Sequence, residues 1–297
     1  MCISRVVCRS LPLLILLLAA SAAIAAAQGR VLRYRHSPGD TALYDCKLSS
    51  RAQGKSDSGQ KIQVEMSLTM NCGAEFLGDT ASGDYGLRGV INSGTLKVKS
   101  GGQPQEIELP EFAERYLVSP RGEIKSASVL SGQPPILMYG GLFLIMGPDD
   151  PVLLGGTAIF PDKPLKAGDR WKGTARIPVV GTGEVNEVKY ESVLLGEETF
   201  RGTVSQKIKT ATSTTIADTV DAPDGSGSLR AKGTITTQDT WLFDPQRGVI
   251  LYSERSARIA MTVKVEQGGQ VVEGYTTSGV LNEKSTLTQF NGTLLTQ

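Results

Sequence analysis

Apolar and polar residues alternate along most of this chain. From Lys61 to Met70, Ile62, Val64, Met66, Leu68 and Met70 fall on one side, and Lys61, Gln63, Glu65, Ser67 and Thr69 on the other. A period of two predicts a half-buried strand of an antiparallel sheet. Ile259, Met261, Val263 and Val265 repeat the pattern against Arg258, Thr262, Lys264 and Glu266. Gly268-Gly269 then turns the chain into Gln270–Leu281, which predicts a hairpin. Leu229–Trp241 alternates again, with Arg230, Lys232, Thr234, Thr236 and Gln238 toward water. Glu184–Leu195 and Gly202–Thr212 read as a further pair joined by Gly196–Arg201. Frequent Thr and recurrent Gly-rich turns fit the same class. The expected fold is all-β: a mainly antiparallel sheet, either a curved half-barrel or a sheet of two halves, with one or two short helices.

Two segments depart from alternation. Glu111–Tyr116 follows Pro110 and predicts one or two helical turns. Ile136–Met146 holds nine apolar residues in eleven, interrupted only by Gly140 and Gly141, between Pro134-Pro135 and Gly147-Pro148. It reads either as a short buried helix or as a central strand, because periodicity does not separate those cases. Its bland role is a buried connector. Its sharper role is the lid or wall of an apolar groove, which makes Ile136, Met138, Leu142, Phe143 and Met146 candidate ligand-binding residues. Met66, Met70, Met138, Met146 and Met261 suit an adaptable lining and an ordinary core equally.

Two motifs recur in the same order. Gly39-Asp40 opens a strand containing Tyr44, and Gly168-Asp169 opens one containing Trp171. Tyr116-Leu-Val-Ser-Pro-Arg-Gly122 parallels Trp241-Leu-Phe-Asp-Pro-Gln-Arg-Gly248. The glycine separations, 83 residues from Gly39 to Gly122 and 80 from Gly168 to Gly248, suggest two related halves. Gly122 and Gly248 are expected in turns that need a positive φ.

The first residues have another character. Arg5 and Arg9 precede an uncharged, almost wholly apolar run from Leu11 to Ala27, with small residues at Ala25 and Ala27 before Gln28. That is the form of an export signal. At 17 residues the run is at the lower edge of what spans a bilayer. The expected organisation is a signal peptide over 1–27, an N-terminal β half over 28–131, an apolar linker or short helix over 132–158, and a C-terminal β half over 159–297. Export to the periplasm or the extracellular side of a bacterial envelope follows, with no stable membrane span after cleavage. Removing Arg5 and Arg9 from 31 basic residues leaves 29 against 30 acidic ones, a net charge of −1. A nucleic-acid binder shows a basic surplus, so that partner class is set aside.

The segment Phe160-Pro161-Asp162-Lys163-Pro164-Leu-Lys-Ala-Gly168-Asp169-Arg-Trp171 resembles a signature of uncharacterised exported bacterial β-proteins, in which a second Pro and Gly-Asp-x-Trp lead into a strand. Phe243-Asp244-Pro245-x-x-Gly248 resembles that family's later strand-turn-strand. The resemblance frames about 90 residues and brings no catalytic residues with it. More distantly, an exported curved sheet with an apolar insert looks like the half-barrel lipoprotein carriers, a likeness of architecture that does not settle function.

Candidate chemistry is sparse. The single histidine, His36, stands beside a predicted turn, and there is no Gly-x-Ser-x-Gly elbow. Cys46 and Cys72 lie in strands either side of Gly54–Gly59 and read either as a disulfide or as two buried thiols. Gly54-Lys55-Ser56 lacks the glycine five residues earlier that a phosphate loop needs, and Gly181-Thr-Gly183 leads to Asn186 where a dinucleotide loop needs glycine. Asp218, Asp221 and Asp224 are spaced by three, not by the two of a calcium loop. No metal or cofactor is expected. The reading is a non-catalytic binding module for a hydrophobic or cell-envelope ligand, lipid or another envelope component. The alternative is a structural or protein-interaction component. A glycan or wall hydrolase stands third.

Overall fold

The structure is a computed structural model that describes residues 29–100, 103–132, 136–139, 142–145, 158–178, 185–221, 228–267 and 270–295. The expected signal segment, Met146, Gly181–Gly183, Asp224 and Gly268-Gly269 lie outside these residues.

Fifteen strands are described. The N-terminal part forms β1 (Thr41–Ser56), β2 (Lys61–Asp79), β3 (Tyr85–Ser100), β4 (Gln105–Leu109), β5 (Phe112–Val118) and β6 (Ile124–Ser131). Two short strands follow, β7 (Ile136–Tyr139) and β8 (Leu142–Ile145). The C-terminal part forms β9 (Arg170–Pro178), β10 (Val185–Phe200), β11 (Thr203–Asp221), β12 (Ser228–Asp244), β13 (Val249–Gln267), β14 (Gln270–Phe290) and β15 (Thr293–Leu294). Strands from both parts join one antiparallel sheet in the order β6-β5-β3-β2-β1-β14-β13-β12-β11-β10-β9, with β4 beside β3 and β15 beside β14. The ladder between β1 and β14 unites the parts, from Ala42 opposite Phe290 to Ser56 opposite Tyr275.

Alternation becomes two faces. In β2, Val64, Met66, Leu68, Met70 and Cys72 are buried, while Lys61, Gln63, Ser67 and Thr69 face water. Right-handed twist accumulates over these long strands and curls the sheet, and bulges at Leu43/Tyr44, Asn71/Cys72 and Leu242/Phe243 add to it. The edge strands β6 and β9 come into contact, yet no hydrogen-bonded ladder joins them among the described residues. The sheet is therefore curled and not closed into a barrel.

Two extended segments pack on one end of the sheet. Arg30 bridges Leu165, the Tyr34 amide donates to Pro120 O at 2.8 Å, and the Phe160 amide donates to Arg121 O at 2.9 Å. They bring Tyr34, Phe160 and Phe243 together, with the Phe160 and Phe243 rings 4.8 Å apart. These rings come from the two motifs that carry the family resemblance, and both are fully buried. Asp162 accepts from Arg33 at 2.7 Å and from Arg121 at 2.9 Å, which ties the two segments to the turn at Gly122. Trp171 Nε1 donates to Ile159 O at 2.7 Å. Phe160, Trp171 and Phe243 are core residues.

The glycine turns are as expected. Gly122 has φ +93° and Gly248 φ +70°. Ser37–Asp40 and Lys166–Asp169 are hydrogen-bonded alike: the Asp amide donates back to the first residue's carbonyl, and the Asp carboxylate accepts that residue's amide.

The helical expectation is corrected. No helix occurs among the described residues, and Glu111–Tyr116 lies in and before β5. Phe112, Glu114, Tyr116 and Val118 all point inward in alternation, so the segment pairs with β3 instead of coiling. Ile136–Met146, left open between helix and strand, contains the hairpin β7–β8, with Met138 opposite Phe143 and Ile136 opposite Ile145.

Candidate functional site

One row of paired residues shows how the inner face is built. On the β1–β4 side it runs through Leu48, Leu68, Leu96 and Ile107, directly opposite one another. On the other side of Leu48 it runs through Glu283, Arg255, Asp239, Thr210, Ser192 and Trp171. The N-terminal wall is thus apolar and the C-terminal wall polar at the same level. The next row repeats the contrast: Cys46, Met70, Gly94 and Leu109 on one side, Ser285 and Ser253 before Trp241 on the other.

The polar wall is a buried network of ion pairs and hydrogen bonds. Arg255 Nε donates to Asp239 Oδ1 at 2.8 Å, and Arg255 Nη1 lies 3.7 Å from Glu283 Oε2. Thr237 donates to Asp239 Oδ2 at 3.0 Å, and Ser192 and Thr210 share a hydrogen bond of 2.9 Å. The Asp239 and Glu283 side chains are 2% and 4% exposed, so the guanidinium compensates two carboxylates removed from water. Packing around Asp239, Trp241 and Glu283 leaves no room for a water molecule. On the opposite wall Tyr116 donates to the buried Glu114. These carboxylates hold structure together and do not open into a reaction cleft.

Cys46 and Cys72 are free, buried thiols. They stand diagonally on neighbouring strands, Cys46 opposite Met70 and Cys72 opposite Tyr44. Cys46 Sγ also meets Ser285 Oγ at 3.4 Å. The hydrogen bond that Cys72 donates to Cys46, together with burial, pushes the Cys72 thiol well above its ordinary value.

His36 is stacked on Phe76, the rings 3.4 Å apart, with Tyr85 edge-on. Burial pulls its pKa down to about 3, so the ring is neutral at physiological pH. Among the described residues its Nδ1 has no hydrogen-bond partner. No group of three or more His, Cys, Asp or Glu side chains that could hold a metal occurs among the described residues.

Of the five candidate ligand residues, Ile136, Met138, Leu142 and Phe143 are placed by backbone on β7 and β8, and Met146 lies outside the described residues. Met138 and Phe143 are direct partners. Gly54–Ser56 lies within β1, a strand and not a phosphate loop. Asp218 and Asp221 lie in β11. The Asp239–Arg255–Glu283 network was not singled out from the sequence, although parity carried it: Asp239 shares a face with Trp241, Arg255 with Ala257 and Ile259, and Glu283 with Leu281 and Leu287.

No family model matches the chain, and no curated protein matches it. Among solved structures it is similar to one described as lipid-protein interactions in lipovitellin, with 12% identity and a TM-score of 0.47 over 89% of this chain. The match spans about a quarter of that chain (26%). An outer membrane channel from Pseudomonas putida F1 is similar at 9% identity and a TM-score of 0.32, over 86% of this chain and 97% of that one. Pseudomonas aeruginosa OpdQ follows at 6% identity and 0.24, over 84% and 99%. No helix among the described residues is long and apolar enough to cross a membrane.

Proposed function

We propose that this protein is an exported, non-catalytic binding module that takes up an apolar ligand of the cell envelope, lipid being the chemical class that fits best. The observation that carries the reading is the seam. β6 and β9 are the two edges of a curled sheet, they touch with no ladder between them among the described residues, and the chain between them contains the apolar hairpin β7–β8. An unpaired seam parts without breaking a ladder of main-chain hydrogen bonds. The apolar rows of β1–β4 offer a continuous wall on one side of the interior. The matching turns at Ser37–Asp40 and Lys166–Asp169 support two similar halves joined through the β1–β14 ladder.

A fluorescence titration with a pyrene-labelled fatty acid tests the reading. Saturable micromolar binding is expected, weakened about tenfold or more by Leu142→Asp or Phe143→Asp, since a buried charge against an acyl chain costs more than one tenfold step. Binding that is linear and non-saturable, or unchanged in both folded variants, contradicts it.

A further inference from the structure

The outer face of the sheet carries a second feature, independent of the apolar interior. Where β13, β14, β1, β2 and β3 run side by side, their water-facing residues line a concavity of about 1050 Å³. A curled sheet of long strands is saddle-shaped, drawn in at the waist like a hyperboloid. Small inward residues let the walls draw in here. A Cβ on Gly279 would press on Ala52, and one on Gly54 would press on Thr277.

The ladders fix what faces this concavity. One row reads Arg258, Val280, Arg51, Glu65 and Lys99, each directly opposite the next across five strands. The neighbouring row reads Asn282, Ser49, Ser67 and Lys97. On the other flank, Ser278 faces Gln53, and Gln53 faces Gln63. Short hydroxyl and amide side chains therefore share the floor with Met66, Val98, Ile259 and Val280, and cations stand at both ends. Arg51 is paired with Glu65 at 2.8 Å and Lys97 with Glu106 at 3.1 Å. Among the described residues neither Lys99 nor Arg258 takes part in an ion pair. From β13 to β3 is four strand spacings, roughly 19 Å at about 4.8 Å each.

We propose that this concavity binds an acidic saccharide chain, a carboxylated oligomer of about four sugar units laid across the strands. Serine hydroxyls and Asn and Gln amides both donate and accept, as sugar hydroxyls require. Arg258 and Lys99 meet carboxylates at the two ends with charge-assisted hydrogen bonds. Among the described residues no aromatic side chain lines it, whereas a folded protein partner favours aromatic contact at its centre. Here Val280 is the one exposed large apolar side chain in the central row.

The test is isothermal titration calorimetry of the mature protein with tetragalacturonate, against maltotetraose as the neutral control. Lys99→Gln/Arg258→Gln removes the end charges, and Ser67→Trp fills the floor without touching them. Both variants are checked for native circular dichroism, and all substituted positions are on the water-facing side. The expected result is saturable binding of the acidic tetramer, at least about tenfold weaker for maltotetraose and for each variant. No heat at millimolar tetragalacturonate overturns the proposal, as does equal binding by wild type and both variants. Equal competition by a single-stranded DNA oligomer also overturns it, because the surface would then be a general polyanion site. Loss of fatty-acid binding leaves these outcomes unaltered, so the two readings fail separately.

Discussion

Arg255 reaches from β13 to Asp239 on β12 at 2.8 Å, inside the curled sheet, with Glu283 on the other flanking strand 3.7 Å away. The three residues face inward at one level, where the opposite wall is leucine. Replacing Arg255 by Met leaves two carboxylates buried without their cation. Urea unfolding should show a loss of roughly 3–5 kcal/mol. The triple variant Arg255→Met, Asp239→Leu, Glu283→Leu should recover most of that loss, because no buried charge remains. A single-variant cost under about 1 kcal/mol, the range of exposed pairs, contradicts the network's place in the interior.

His36 gives a pH signature. Burial lowers its folded pKa to about 3, below the ordinary value of 6.5. Between those values the unfolded chain binds the extra proton, so stability is fully present above pH 6.5 and falls as pH drops toward 3. At 1.36 kcal/mol per unit, the window from pH 6.5 to 5 contributes about 2 kcal/mol. His36→Phe keeps a ring against Phe76 and should flatten the slope of Tm between pH 7 and 5. An unchanged slope contradicts a neutral, buried imidazole.

The thiols should be protected. Cys46 and Cys72 are buried, and Cys72 is held protonated by burial and by Cys46. Since reagent reaches a buried sulfur only when the sheet opens, the native protein should react with Ellman's reagent at pH 8 about a hundredfold more slowly than the urea-unfolded chain. Equal rates would place one or both thiols at the surface.

Gly248 tests the turn chemistry. Its φ is +70°, and an added Cβ would press on the Arg35 backbone. Gly248→Ala should cost roughly 1–2 kcal/mol from the left-handed conformation alone, more with the clash, read as a fall in Tm. Gly202→Ala, also at positive φ but with open space around it, should cost the conformational part only.

Much of the fold was legible from alternation. The strands around Lys61–Met70, Leu229–Trp241 and Ile259–Leu281 appear with the expected faces, because a half-buried strand must sort its residues every second position. Glu111–Tyr116 misled because Pro110 looks like a helix start and Glu114, on the buried parity of the strand, is a charged residue. Its partner Tyr116 OH lets a carboxylate turn inward, and the strand period is visible only once that is known. Asp239, Arg255 and Glu283 were hidden for the same reason: charged residues on a buried parity are read as noise until three adjacent strands supply one another's partners. The order in which the strands pair, which brings β1 beside β14 and leaves β6 and β9 as meeting edges, is set by long-range contacts that no local pattern encodes. The outer concavity depends on that order and was equally out of reach.

The most direct test of the carrier reading is native mass spectrometry, with lipid extraction, on mature protein purified without detergent from an envelope fraction. The account predicts a mass increment from a co-purifying lipid that disappears in Leu142→Asp or Phe143→Asp while circular dichroism stays native. A bare protein mass under conditions that preserve weak complexes would contradict it and favour a structural role in the envelope.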